Sequence, residues 1–210
     1  MKLLNAAELS WDRLRREAQR GSLFLLCVAP LEDHASHLPC GTDPIICEAM
    51  ARRVAGLITP QEAIEPEEGP THAVLLPVWQ QGSSVLRSLG CLRWKSSTVT
   101  QTLLEFGAEL EDLGVRRLVL LTSHGAMDHL EALEKAAKTL RKKTRMNVLA
   151  PSGPLLNDFV MGKYHRELSL ELGREFTPDI IGAILVLRPL PRRNSGEPLS
   201  ICCVGKWPRS

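Results

Sequence analysis

SLFLLCVAPLEDHASHLPCGTD, residues 22–43, sets an apolar run directly ahead of a polar cluster. Residues 22–29 read as a buried strand ending near Val28, because a short unbroken apolar stretch suits a strand covered on both faces. Glu32, His34, His37 and Asp43 then follow where the strand runs out into a loop. In open α/β sheets, ligands bind outside the carboxyl ends of the strands. A carboxylate and an imidazole two residues apart, with a second carboxylate nearby, suit a borderline divalent metal such as zinc or manganese. The same residues also read as a polar loop whose charges are simply solvated.

Working outward, Asp43-Pro44 opens a helix running to about Leu57. Asp43 is a candidate cap and Pro44 a candidate first helical residue, a use that would compete with metal ligation. Upstream, residues 7–20 read as a helix with Leu9, Trp11 and Leu14 at helical spacing. Downstream, residues 59–71 are rich in Pro and Glu and read as a surface loop. Residues 72–79 form a second strand, and 80–96 an irregular excursion. Residues 97–113 are a helix with Val99, Leu103, Phe106, Leu110 and Leu113 on one face, stopped by Gly114. Strands over 116–123, 146–151, 180–190 and 200–207, with a helix over 126–143, complete the pattern. Residues 189–200 suggest a hairpin between the last two strands. Strand–helix alternation with near-continuous apolar strands predicts an α/β fold: a three-layer α/β/α domain with a mostly parallel central sheet. A single domain over residues 1–210 is expected.

Composition narrows the function classes. Hydrophobic residues make up 44% of the chain and the net charge is +2, which does not suggest a nucleic-acid surface. The basic group Arg141-Lys142-Lys143 with Arg145 reads as a solvated complement to a helix C-terminus. No stretch approaches the roughly 18 apolar residues that span a membrane, and no signal peptide is visible. Cys27, Cys202 and Cys203 sit in apolar runs, and no C-x-x-C pair is present, so a reduced, cytoplasmic protein is expected. Cys40 lies inside the polar cluster, where a lone cysteine is weak grounds for a ligand or nucleophile.

Two further segments carry candidate groups. TSHGAMDHL, residues 122–130, puts His124 straight after a strand, at the same sheet edge as the first cluster, with Gly125 to permit a tight turn. Read alone, His124 is a polar cap on a strand–helix turn. His129 reads as a surface or supporting residue. YHRELSLELGREFTPDI, residues 164–180, holds Glu167, which alone reads as part of a solvated helix face.

Together these segments resemble the creatininase (creatinine amidohydrolase) family. Its first motif usually reads G-S-x-E-Q-H-G-P-H-L-P-x-x-T-D. Glu32, His34, His37, Leu38, Pro39, Thr42 and Asp43 fall on matching positions. Ala29-Pro30, Asp33 and Ala35-Ser36 depart from it. In the family's N-G-H-G-G-N segment, His124 and Gly125 match, while Thr122, Ser123, Ala126 and Met127 depart. Anchoring on Pro178-Asp179 and counting back without a gap lays Glu167 on the family's metal-binding Glu of H-A-G-E-x-E-T-S. Tyr164 then takes the His position and Ser169 that of the second Glu, with His165 one residue on.

The resemblance implies a two-metal centre built from Glu32, His34, Asp43, His124 and Glu167. Asp43 is the implied bridge, with Glu32 and His124 on one metal and His34 and Glu167 on the other. Five N/O ligands exceed one tetrahedral zinc and suit two divalent ions about 3.5–4 Å apart. Zinc fits first, with manganese or iron as other candidates. The implied activity is hydrolysis of a C–N amide bond in a small-molecule substrate (a cyclic amide, formamide or peptide-like group) by hydroxide bridging the metals. His37, Tyr164 and His165 are the candidate proton donors. The other reading is a catalytically degenerate relative that keeps the fold for binding or assembly. The resemblance also implies a homo-oligomer, hexameric in many relatives, with Trp79 and Trp94 at interfaces or in the core. Neither a nucleic acid nor a membrane partner is expected.

Overall fold

The computed structural model describes residues 2–57, 72–84 and 91–155. Its elements are β1 (Lys2–Asn5), a 3-10 turn (Ala6–Glu8), α1 (Trp11–Gln19), β2 (Leu23–Cys27), α2 (Thr42–Leu57), β3 (His72–Leu75), α3 (Ser96–Leu113), β4 (Arg117–Leu121), α4 (Met127–Lys143) and β5 (Asn147–Leu149). The strands form one sheet in the order β1-β3-β2-β4-β5, and every pairing is parallel. The strands expected over 180–190 and 200–207, the loop over 59–71, and Cys202 and Cys203 lie outside the described residues.

Alternation along the strands divides the core into two layers. Phe24, Leu26, Val74, Leu118, Leu120 and Val148 pack on one face against Ala18 of α1, Val99 and Leu103 of α3, and Leu133 and Ala137 of α4. Leu23, Leu25, Cys27, Leu75, Val119 and Leu121 pack on the other against Cys47, Ala51 and Ala55 of α2. This is the expected three-layer α/β/α arrangement. All of β2 is buried, which is why its sequence carries no polar alternation. At Gly107 an added Cβ would lie 2.6 Å from the Leu140 side chain, so the glycine sets the close approach of α3 and α4.

Two local expectations are corrected. The helix expected over 7–20 is a 3-10 turn followed by α1, because the Asn5 side chain accepts from Ala7 N–H and the Ser10 side chain from Arg13 N–H, giving two separate caps. Trp11, assigned to the apolar face, is 67% exposed. The edge strand β1 was not anticipated. α3 ends at Gly114 with φ of 108°, as its sequence suggested. The basic residues Arg141, Lys142 and Lys143 sit in the last turn of α4.

At the amino ends of the strands, a buried acid ties α1 to the sheet. Glu17 Oε2 accepts from Ser22 Oγ at 2.8 Å and lies 2.9 Å from His72 Nδ1, while Arg13 lies 2.8 Å from Oε1. Burial alone would raise the Glu17 pKa, but these partners outweigh it and hold the carboxyl below its ordinary range. Glu17→Ala is expected to cost about 1–3 kcal/mol by leaving the Ser22 hydroxyl unpaired, measured by urea melts. Because the folded pKa is depressed, the acid's contribution is present above its unfolded pKa and fades as pH falls through the folded value. The alanine variant should therefore show a flatter acid limb than the parent protein.

Candidate metal centre

The chain path creates a crevice at the carboxyl end of the sheet. β2 and β4 are neighbours, yet α2 leaves β2 across one face and α4 leaves β4 across the other. Oppositely directed connections from adjacent strands make a switch point, the usual place for a ligand in an open sheet. The loop after β2 carries Glu32 and His34, the first turn of α2 carries Asp43, and the turn after β4 carries His124.

These four side chains meet. His124 Nδ1 lies 3.0 Å from Asp43 Oδ2 and 3.1 Å from Glu32 Oε1. His34 Nε2 lies 3.4 Å from Asp43 Oδ1 and 4.0 Å from Glu32 Oε1. One ligand atom each from Glu32, Asp43 and His124 lies within 4.8 Å of the others. Asp43 and His124 are buried, whereas Glu32 and His34 are about one-fifth exposed, so the cluster opens to solvent on the loop side. Glu167, Tyr164 and His165 lie outside the described residues. His37 is exposed on the same loop, and no hydrogen bond to it occurs among the described residues.

Hydrogen bonds hold this arrangement. The Glu32 N–H donates to the Cys40 carbonyl at 3.1 Å, closing the loop on itself. His34 Nδ1 lies 3.1 Å from the Glu32 carbonyl, an acceptor, so Nδ1 carries a proton and Nε2 is turned toward Asp43. Asp33 Oδ1 accepts from Ala35 N–H at 2.9 Å. This bond stabilises Ala35 at a left-handed φ of 61°, a position where the family motif has Gly. Thr122 and Ser123, which depart from the family's pattern, have structural partners. Ser123 Oγ donates to the Asp43 carbonyl at 2.7 Å, and Thr122 Oγ1 accepts from His124 N–H at 3.1 Å. Met127 is 61% exposed, leaving its motif position without a polar group.

The alternative of Asp43 as a helix cap is corrected. α2 begins one residue earlier, at Thr42, so Asp43 lies inside the first turn, its carboxylate turned toward the two histidines. A surface role for His129 is also overturned. His129 is fully buried, because it shares the inward stripe of α4 with Leu133, Ala136 and Leu140. Its Nε2 lies 3.1 Å from the Val28 carbonyl, and its Nδ1 accepts from Ser83 N–H at 3.3 Å. Burial lowers its pKa to about 4, so the ring is neutral at pH 7.

Two participants escaped the sequence reading. The Ser83 carbonyl lies 3.1 Å from His124 Nε2, and nothing in a Gly-Ser-Ser run announces a backbone acceptor. Cys91 Sγ lies 3.7 Å from Glu32 Oε2, where burial and the Glu32 charge raise the thiol pKa. Cys40 is exposed, and Cys27 and Cys47 are buried free thiols on the α2 side of the sheet. Trp79 packs on Phe106 with ring centroids 4.8 Å apart, and Trp94 is 40% exposed.

The electrostatics suit a cation. Burial pushes the His124 pKa down, but hydrogen bonds to Asp43 and Glu32 and their charges outweigh it, raising the pKa to about 9. Asp43 is likewise disfavoured as an anion by burial, yet His124 and His34 hold its pKa below the ordinary value. A proton on His124 is thus retained by two carboxylates that a metal ion could also satisfy.

The family model for creatininase, described as creatinine amidohydrolase, matches residues 7–179. This chain belongs to the creatininase family. A solved structure of creatininase in a manganese form is 23% identical, with a TM-score of 0.56 over 79% of this chain and 65% of that chain. A mutant creatininase of Zn-Zn type is also 23% identical, with a TM-score of 0.56 over 79% and 64%. A mutant creatininase complexed with creatine is 25% identical, with a TM-score of 0.54 over 71% and 58%. The chain therefore spans less than two thirds of the length of these creatininases, and the first two likenesses establish the fold. No curated protein sequence matches the chain. Among the described residues, no helix is long and apolar enough to cross a membrane.

Proposed function

We propose that this creatininase-family chain is a metal-dependent hydrolase of a C–N amide bond in a small molecule. Asp43 carries the reading: its two carboxylate oxygens face two different histidines, Oδ2 toward His124 and Oδ1 toward His34. A bridging carboxylate between two cations needs that division. The donor set is made of carboxylates and imidazoles without a thiolate in the cluster, which fits zinc first and manganese or iron next. Glu32 and His124 would hold one ion, His34 and Glu167 the other, with Asp43 shared between them. When bound, such ions supply a bridging water of near-neutral pKa as hydroxide and polarise a substrate carbonyl.

The chain's own residues do the remaining work. The Glu32 carbonyl and the Ser83 carbonyl fix the two imidazoles, and the Ser123 hydroxyl anchors α2 beneath them. His37, Tyr164 or His165 delivers a proton to the departing amide nitrogen. We further propose that residues 1–210 act as one cytoplasmic domain that assembles with copies of itself. The family match over residues 7–179 supports the single domain. The test is elemental analysis of the purified protein combined with a screen of cyclic amides, formamides and small peptides. A folded protein that retains no divalent metal and cleaves none of them overturns the proposal in favour of a binding or assembly role.

Cys40 is the rival nucleophile, but it is exposed and lacks an activating partner among the described hydrogen bonds. Cys40→Ala should keep amidase activity within about threefold, while His124→Ala should lose both metal and activity by about 100-fold or more. Activity lost in Cys40→Ala with metal content intact would assign the chemistry to the thiol.

A further inference from the structure

We infer that the outward face of α2 is a two-fold interface with a second copy of this chain. This inference rests on the proposed self-assembly and deepens it by naming the surface. Among the described residues, α2 is the helix that covers the sheet face carrying Leu25 and Cys27, and it does so with small side chains, Cys47, Ala51 and Ala55. Its larger apolar residues point the other way. Ile45 is 60% exposed, and Ile46 and Leu57 are also open to solvent. Ile45, Ala49 and Gly56 follow one another at spacings of about one and two turns, so they form one exposed stripe rather than scattered positions. The solvated face of α4 is different: its exposed positions Glu131, Lys135, Lys138 and Arg141 are all charged. A helix that is apolar on both sides belongs between two layers.

The charges on this face select the occupant. Glu48 and Arg52 lie one turn apart along one edge of it, with Arg52 Nε and Nη2 donating to Glu48 Oε1 at 3.0 and 2.6 Å. Both bonds go to Oε1, which leaves Oε2 open to a further donor. Facing positions in an antiparallel helix pair run in opposite order. Laid on its own copy about a two-fold axis near Met50, α2 therefore brings Glu48 to the partner's Arg52 and Ile45 to the partner's Gly56. An added Cβ on Gly56 would meet nothing within 4 Å, so that position is an open notch for the isoleucine. Ala49 falls at the crossing, where a small side chain lets the two axes approach. Acid and base then alternate around the axis, and the symmetry repeats every contact. A purely acidic or purely basic partner would leave half of these charges opposed to their own sign. A second copy pairs them all.

The test measures particle mass by light scattering on the full chain, as the parent protein, Glu48→Arg, Arg52→Glu and Gly56→Gln, with a thermal melt of each. Glu48→Arg leaves only cations around the crossing, and Arg52→Glu only anions. Each should weaken the pairing by about 10–100-fold, because every reversal turns an attraction into a repulsion and the symmetry counts it twice. Losing a two-fold contact halves the particle, whether it is a dimer or a larger assembly of pairs. An equal mixture of the two charge variants should recover the parent's mass, although both have lost the Glu48–Arg52 bond within the helix. That recovery separates a contact between copies from a contact within one. Gly56→Gln fills the notch with a better helix former than glycine, so it should fold at least as well as the parent and still halve the particle. It carries the test alone if a charge variant does not fold. A mixture that stays dissociated, or an assembly whose mass no folded variant changes, overturns the interface and keeps the assembly reading. A parent protein that is monomeric at every concentration removes both.

Discussion

Asp43→Asn should leave the protein folded and nearly free of bound metal, with zinc affinity lower by on the order of 100-fold or more. Residues that merely support a ligand already contribute ~10–100-fold, and Asp43 would contact both ions. The substitution removes one negative charge and leaves an amide with one oxygen for ligation. That oxygen cannot serve both the His124 side and the His34 side of the cluster, where Oδ2 and Oδ1 now lie 3.0 and 3.4 Å from the rings. Folding should change little. Asp43 lies inside the first turn of α2, where its charge complements the helix dipole by about 0.3–1 kcal/mol. Metal per chain from elemental analysis, beside a thermal melt, separates the two effects. An Asn variant that keeps its metal would reduce Asp43 to a partner in a buried ion-pair network.

The sequence disclosed most of this site because its residues cluster at strand ends. β2 and β4 are buried on both faces and read as apolar runs, so the polar groups directly after them had to emerge at one sheet edge. Their meeting required the order β2-β4, which no local pattern encodes. β1 was hidden because KLLN is a four-residue edge strand beside a capped helix, too short to alternate visibly. β3 ends at Leu75 rather than at Trp79, since Pro77 has no N–H to give a neighbouring strand. His129 was legible in principle. It stands four residues before Leu133, seven before Ala136 and eleven before Leu140, so helical periodicity places it on the buried face. The Ser83 carbonyl was not legible, because a backbone acceptor leaves no signature in residue type.

Metal affinity should rise about tenfold per pH unit from pH 7 and level off near pH 9, a gain of about 100-fold. His124 in the metal-free protein has its pKa raised to about 9 by Asp43 and Glu32, against burial. Its Nδ1 must lose a proton before it can bind a cation, so below that pKa each ion bound at this position releases one proton. Linkage gives the metal-free protein the opposite trend. A histidine whose folded pKa lies above its unfolded value contributes stability fully below the unfolded pKa, and that contribution is lost as pH rises through about 9. The metal-free protein should therefore weaken toward alkaline pH, while the metal-loaded protein should gain relative to it over the same interval. Chelator competition at several pH values gives the first slope, and paired thermal melts give the second. A flat affinity between pH 7 and 9 would mean that His124 already stands neutral beside the two carboxylates, or that the ion binds without it. His124→Asn distinguishes these: unchanged affinity in that variant removes His124 from the ligand set.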